Sequence, residues 1–148
     1  KIKKAMEYLE IAYYKMKQEI TPKFTDKLSK TISKISDKKY QNVRINTKGE
    51  IIVEDKNGEY INAENLSIGT IDQLYLSLRL ASIEEITKEK MPILLDEAFA
   101  YYDNDRLTNI LKYLSEEYKD NQIIIFTCTK REKEILDKIN VAYEYVQL

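Results

Sequence analysis

Met91-Pro92-Ile93-Leu94-Leu95-Asp96-Glu97 is a short apolar run closed by two adjacent carboxylates. Three consecutive apolar residues, Ile93 to Leu95, with Met91 shortly before them, read as a buried strand. A buried strand of an α/β sheet delivers its last residues to the C-terminal edge, where ligands of such folds bind. Two like charges side by side are unfavourable unless a cation or a substrate uses them. The pattern is common in isolation, so its surroundings decide what it means. An amphipathic helix is predicted before it, from about Ile71 to Lys88, carrying Leu74, Leu76, Leu78, Leu80 and Ala81. After it come a helix over about Asn104–Tyr118, an apolar strand at Gln122–Thr127, a helix over about Arg131–Ile139 and a last strand near Val141–Val146. Strands that are apolar throughout and separated by helices indicate a parallel sheet covered on both faces.

The first part of the chain is patterned differently. Ile2, Met6, Leu9, Tyr13, Met16 and Ile20 are spaced 4, 3, 4, 3, 4. That seam suits either a coiled coil or a helix packed on a domain, since Ala5, Tyr8 and Ala12 widen the stripe. Pro22 is expected to break or restart the helix after Thr21, because the residue before proline disfavours helical backbone. Phe24, Leu28, Ile32 and Ile35 form the apolar face of a second amphipathic stretch. From Tyr40 the period falls to two, with Val43, Ile45, Ile51 and Val53 alternating with polar residues. Lys48-Gly49 and Asn57-Gly58 fall between these runs, and Asn-Gly suits a type I′ turn whose central residues both need positive φ. A three-stranded antiparallel meander over about 41–62 follows.

The 148 residues and 17.5 kDa suit one domain. A hydrophobic content of 43% excludes a wholly disordered chain. No apolar run is long enough to span a membrane, and the first residues do not read as a secretory h-region. One cysteine and no histidine exclude a disulfide framework, the usual zinc sites and any mechanism with a histidine base. The net charge of −1 conceals a split, because residues 1–48 hold 13 Lys/Arg against 5 Asp/Glu, a balance of +8. That asymmetry suits either a polyanion meeting the first third of the chain or a lysine-rich solvated helix. The chain begins with Lys and is expected to be cut from something longer.

A second candidate site is Leu66-Ser67-Ile68-Gly69-Thr70, at the opening of the long helix. A serine hydroxyl and free N–H groups at a helix N-terminus make an anion site, and glycine lets a phosphate approach the backbone. Its plain alternative is an N-cap serine followed by a loop glycine. Asp96-Glu97 follows Gly69 by 27 residues, Asp103 follows Glu97 by six, and the next strand ends in Thr127-Cys128-Thr129. This ordered set resembles the second half of an ABC-type ATPase head: signature loop, Walker B with its glutamate, D-loop and switch loop. The stretch Ser67–Ala81, with Gln73-Leu74-Tyr75 and Arg79-Leu80-Ala81, looks like the SbcC/YhaN branch of DNA-repair ATPases, which are related to the SMC proteins. The resemblance in order covers the whole chain and is motif-specific over about residues 64–131. Two departures stand out. The switch position, usually histidine, is Thr129, a short neutral donor, unless Thr127 takes the role. No Gly-x-x-x-x-Gly-Lys-Ser/Thr occurs, so a Walker A loop must come from another lobe.

The resemblance implies an α/β fold, the C-terminal half of an ABC-type head with a parallel sheet and flanking helices. It divides the chain into a coiled-coil base and linker helix at 1–39 and an ATPase lobe at 40–148. It implies ATP and Mg²⁺ as ligands, with Asp96 for the metal and Glu97 and Thr129 as catalytic groups. Leu66, Ser67, Ile68, Gly69 and Thr70 would cap the ATP of an opposite head in trans, and Asp103 would cross the dimer. Implied partners are the Walker A lobe of the same protein, a second head joined through ATP, DNA and an SbcD-like nuclease, with no membrane partner and a cytoplasmic, nucleoid-associated location. The isolated chain would be inactive. A non-catalytic head that tethers a coiled coil is the alternative, and a transporter subunit is a third. Among other residues, Arg79 could couple nucleotide state to the stalk or simply form a local ion pair. Cys128 is expected to be buried and inert, Tyr101 and Tyr102 to pack beside Asp103, and Ile71, Leu74, Leu78 and Ala81 to lie in the core.

Overall fold

The computed structural model describes residues 2–46, 49–86 and 89–147, and leaves the side chains at 2, 12–21 and 84–86 undescribed. One helix, α1, runs from Ile2 to Ile35. It passes through Pro22, where a break or restart was expected. A proline inside a helix forfeits one hydrogen bond and crowds the preceding turn, at roughly 3 kcal/mol. The helix regains its footing just beyond: the Thr25 hydroxyl donates to the Pro22 carbonyl at 2.9 Å, and Leu28, Ile32 and Ile35 are fully buried. Packing of that last part outweighs the local penalty. Earlier in the helix, Met6, Tyr8, Leu9 and Ile11 are exposed. Two members of the heptad seam, Met6 and Leu9, are thus without cover; Ile2, Tyr13, Met16 and Ile20 lie outside the described side chains.

The meander forms as the period-two pattern predicts. β1 (Tyr40–Ile45), β2 (Ile51–Asp55) and β3 (Tyr60–Asn62) pair antiparallel in the order β1-β2-β3. The turn at Asn57-Gly58 is not type I′. Gly58 alone takes positive φ (82°), its N–H donates to the Asp55 carbonyl at 3.0 Å, and Asp55 N–H reaches the Glu59 carbonyl at 2.9 Å. The Asp55 carboxylate also accepts from the Asn57 and Glu59 N–H groups, which draws the loop into three residues with glycine last.

Helix α2 spans Ile68–Ile86 and starts three residues before the predicted position. It lies between two clusters. Leu74 and Ala81 join Leu28, Ile32, Val43 and Val53, while Leu76 and Leu80 face the core under the parallel strands. Ile71 and Leu78, expected in the core, are only half-buried because a helix between two cores has flanks at their edges. Gln73 and Ser77 are buried between the clusters and satisfied there: Gln73 Nε2 donates to the Ile35 carbonyl at 3.3 Å and Ser77 Oγ to the Gln73 carbonyl at 2.7 Å.

β4 (Ile93–Asp96) and β5 (Ile123–Phe126) pair in parallel, with Asp96 opposite Phe126. The helices α3 (Asn104–Glu117) and α4 (Arg131–Lys138) pack below, burying Ile93, Leu95, Leu107, Ile110, Leu114 and Ile135 together. The sheet is therefore covered on one face, not on both. Leu94 is 63% exposed and Phe126 43%, and alternation places them on the opposite face. The strand expected near Val141–Val146 does not form: residues 141–147 are irregular, and Tyr145 and Val146 are exposed. An apolar segment becomes a strand only by pairing with a sheet edge, and this one pairs with neither strand. Among the described residues, no helix is long and apolar enough to cross a membrane.

Candidate functional site

The end of β4 sets up the first group of candidate residues. Asp96 closes the strand, and Glu97 follows it with φ 44°, in the left-handed region. A side chain there costs on the order of 1 kcal/mol, a strain that surrounding contacts must hold. Two contacts do so. The Glu97 N–H donates to the Phe126 carbonyl at 2.9 Å, and its carboxylate accepts the Cys128 N–H at 2.5 Å. The reversed backbone thus turns the Glu97 carboxylate across the sheet edge toward the segment after β5.

That segment holds Thr127 and Thr129. Their hydroxyls donate to one oxygen of Glu132, at 3.0 Å and 2.8 Å. Glu132 lies one residue into α4 and is 6% exposed, so a buried carboxylate is satisfied by the two threonines. The sequence did contain a signal for it, because Thr129-x-x-Glu132 has the spacing of a capping box. Here the threonine meets the glutamate side chain, and Lys130 makes no side-chain cap. Cys128 is exposed, not buried as expected, because the segment turns away from the core. The Glu97 carboxylate beside it pushes the thiol above its ordinary range, first as hydrogen-bond acceptor and then as a charge. Among the described residues, no group of three or more His, Cys, Asp or Glu side chains could hold a metal ion by itself.

The second group forms at the start of α2. Ser67 and Ile68 are exposed, Leu66 is half-buried, and Gly69 and Thr70 are buried. The first N–H groups of a helix have no acceptor within it. Here Thr70 and Ile71 donate to the Ser67 carbonyl at 2.8 and 2.9 Å, so the outermost donors are those of Ile68 and Gly69. The Ser67 and Thr70 hydroxyls lie 2.9 Å apart, and Tyr40 Oη is 3.5 Å from Thr70 Oγ1. Gly69 is needed for packing within the chain: a Cβ there would stand 2.2 Å from Arg106 Nη1 and 2.8 Å from the Tyr101 carbonyl.

Asp103 belongs to this second group. It is the N-cap of α3, its carboxylate accepting the Arg106 N–H at 2.8 Å and pairing with Arg106 Nε at 3.4 Å. The Arg106 guanidinium also reaches Thr70 Oγ1 at 3.4 Å. Arg106 escaped the sequence reading although Asp103-x-x-Arg106 is a spacing that makes neighbours on a helix. Between the groups, Phe99 and Tyr102 are buried and Tyr101 is exposed. Arg131 Nη2 donates to the Phe99 carbonyl at 3.1 Å, fastening the start of α4 to the segment after Glu97. The Tyr102 hydroxyl is buried without a partner among the described residues, and burial, then Asp72, hold its proton on well above the usual range for tyrosine. Arg79 is exposed, with its charge acting on Tyr102 in the opposite sense.

The chain therefore gathers Asp96, Glu97, Thr127 and Thr129 at one edge of the parallel pair. It gathers Ser67, Gly69, Thr70 and Asp103 around Arg106. No family model matches the chain. The protein YhaN of Bacillus subtilis is 30% identical to it over 116 residues, which make up 76% of this chain and 12% of YhaN. Among solved structures, one concerned with ATP-driven dimerization and DNA-stimulated activation of SMC ATPases matches with a TM-score of 0.68 at 18% identity, over 84% of this chain and 78% of that one. The Pyrococcus yayanosii Smc head with a coiled coil and joint matches with a TM-score of 0.66 at 16% identity, over 90% of this chain and 27% of that one. The Pyrococcus furiosus Smc head bound to the C-terminal domain of ScpA matches at 0.60 and 18%, over 77% of this chain and 30% of that one. The chain thus has the fold of SMC heads and a sequence relative in YhaN, of whose length it spans 12%.

Proposed function

We propose that this chain is the C-terminal lobe of an ATP-hydrolysing head, completed by a lobe that supplies the Walker A loop. The observation that carries this reading is Glu97. Its carboxylate is held across the sheet edge by a strained backbone and the Cys128 N–H, beside Thr127 and Thr129. A carboxylate so fixed can orient a water and take its proton as the water attacks a phosphoryl group. Asp96, at the end of β4, is the residue that would hold Mg²⁺, directly or through water; one protein carboxylate suits that ion when phosphate oxygens supply other ligands. The ion would draw charge off those oxygens.

Ser67 and the N–H groups of Ile68 and Gly69 would meet the γ-phosphate of ATP bound to an opposite head, with Asp103 beside them. Two heads would thus close on ATP and open on hydrolysis, and α1 would carry that motion outward. Work of this kind on DNA, near the lysine-rich first third, follows from the resemblance to repair ATPases and agrees with the +8 balance over residues 1–48. An SbcD-like nuclease partner and a place at the nucleoid belong to the same proposal. In a complete head, Glu97→Gln tests it: ATP-dependent dimerization should persist while hydrolysis falls by about 10²–10⁴-fold. Hydrolysis within twofold of wild type would remove Glu97 from the role.

One observation favours a second reading, a head that closes on ATP without turning over. Thr129, at the position of the usual switch histidine, already spends its hydroxyl proton on Glu132. Tight ATP binding with no hydrolysis by the wild-type head would select this reading.

A further inference from the structure

The guanidinium of Arg106 touches two segments more than thirty residues apart in sequence. Its Nε faces Asp103 Oδ2 at 3.4 Å, and its Nη2 faces Thr70 Oγ1 at 3.4 Å. The side chain is 24% exposed against 62% for Asp103, so most of it has left water. The cap of α3 does not require this, since the Arg106 N–H alone satisfies the Asp103 carboxylate at 2.8 Å. Burying a cation is unfavourable unless its surroundings repay the lost hydration. Here the first turn of α2 has been shaped to receive it. Gly69 stands where any Cβ would come 2.2 Å from Nη1, so the missing side chain is the space the guanidinium fills. The Tyr101 carbonyl closes the other side, 2.8 Å from the same position. Thr70 is 1% exposed and passes the contact to the Ser67 hydroxyl at 2.9 Å.

We infer that Arg106 is a positioning residue that joins Ser67–Thr70 and Asp103 into one rigid unit, so that a head presents both together to the nucleotide of its partner. This rests on the function proposed above. A planar fork can hold two acceptors in fixed directions, which a lysine ammonium cannot. The two segments would otherwise meet the opposite nucleotide independently, each with its own freedom to lose on closure.

Two experiments test the inference. The first needs no nucleotide. Hydrogen exchange on this chain should show the amides of Thr70, Ile71 and Arg106 losing protection together in Arg106→Met, by about tenfold or more, with the β1–β2 amides unchanged. Thr70→Val, which removes the hydroxyl's contacts with Arg106, Ser67 and Tyr40 but leaves the Arg106–Asp103 pair and the Asp103 cap, should loosen the same amides less. Unchanged protection at Thr70 and Ile71 in Arg106→Met overturns the inference.

The second uses mixed dimers of complete heads. Pairing an Arg106→Met head with a Glu97→Gln head leaves one site with both its own Glu97 and an intact partner unit. Placing both changes on one head beside a wild-type head leaves no such site. The first pairing should hydrolyse ATP at least about tenfold faster than the second. The reverse order, or equal loss in both, overturns a role toward the partner's nucleotide. A wild-type head that hydrolyses no ATP counts against the proposed function instead, and the exchange result then decides the clamp by itself.

Discussion

The Glu97 carboxylate accepts the Cys128 N–H across the C-terminal edge of the β4–β5 pair, at 2.5 Å. Because Glu97 N–H is already bound to the Phe126 carbonyl, the residue is held to β5 at both ends. The carboxylate at the end of one strand and the threonines after the next are thereby one mechanical unit. Moving either segment means breaking a charge-assisted hydrogen bond.

Cys128 reports on that contact directly. Its thiol is exposed, yet the neighbouring Glu97 raises its pKa by accepting its hydrogen bond and repelling a thiolate. A raised pKa means less thiolate at any given pH below it, hence slower alkylation. Iodoacetamide at pH 8 should therefore modify Cys128 more slowly than a free cysteine, and Glu97→Gln should speed the reaction by about twofold or more. An unchanged rate in that variant would show that the carboxylate does not face the thiol.

Glu132 is a buried acceptor for two hydroxyls. Hydrogen bonds to a charged group contribute roughly 1.5–3 kcal/mol, and the exposed threonines can turn to water when it is removed. Glu132→Ala should lower stability by about 1–3 kcal/mol in urea denaturation. Loss of less than about 0.5 kcal/mol would mark the contact as a surface feature.

Gly69→Ala sets two effects against each other. Alanine is the better helix former by about 1 kcal/mol. Its Cβ would meet a guanidinium nitrogen at 2.2 Å and a backbone carbonyl oxygen at 2.8 Å, and the carbonyl cannot rotate away as a side chain can. Overpacking of that kind costs roughly 1–3 kcal/mol, so the net change should be destabilising in chemical denaturation. A stabilised variant would contradict the packing.

Tyr102 offers the opposite sign. Its hydroxyl is buried with no hydrogen-bond partner among the described residues, while its ring packs on Phe99 with centroids 5.6 Å apart. Tyr102→Phe keeps the ring contact and removes an unsatisfied polar group that costs about 1–3 kcal/mol. Thermal denaturation should show an unchanged or raised Tm, by a few degrees at most for a chain of this size. A clear fall would reveal a partner for the hydroxyl.

The fold was legible where periodicity and burial agree. The alternation of Val43, Ile45, Ile51 and Val53 placed the meander, and the apolar runs at Ile93 and Ile123 placed the parallel pair. It was illegible where distant packing overrides a local rule. Pro22 obeys its own preference only if nothing beyond it is anchored, and Leu28, Ile32 and Ile35 are. Val141–Val146 is as apolar as a strand but pairs with neither strand of the parallel sheet. The run at Ile93–Leu95 suggested two covered faces because sequence records that a residue is apolar and not what lies against it, and Leu94 is bare. At the site, Asp96, Glu97, Ser67 and Asp103 could be singled out by type and spacing. Arg106 and Glu132 carry only local spacing signals, Asp103-x-x-Arg106 and Thr129-x-x-Glu132, and their contacts with Thr70 and Thr127 are made only in the folded chain.

The most direct test of the central claim is ATP hydrolysis by this chain mixed with a lobe carrying the Walker A loop of the same protein, beside the Glu97→Gln version. The account predicts turnover in the wild-type mixture, none with either lobe alone, and a loss of about 10²-fold or more with Glu97→Gln. Equal turnover in the two mixtures, or turnover by the Walker A lobe alone, would contradict it.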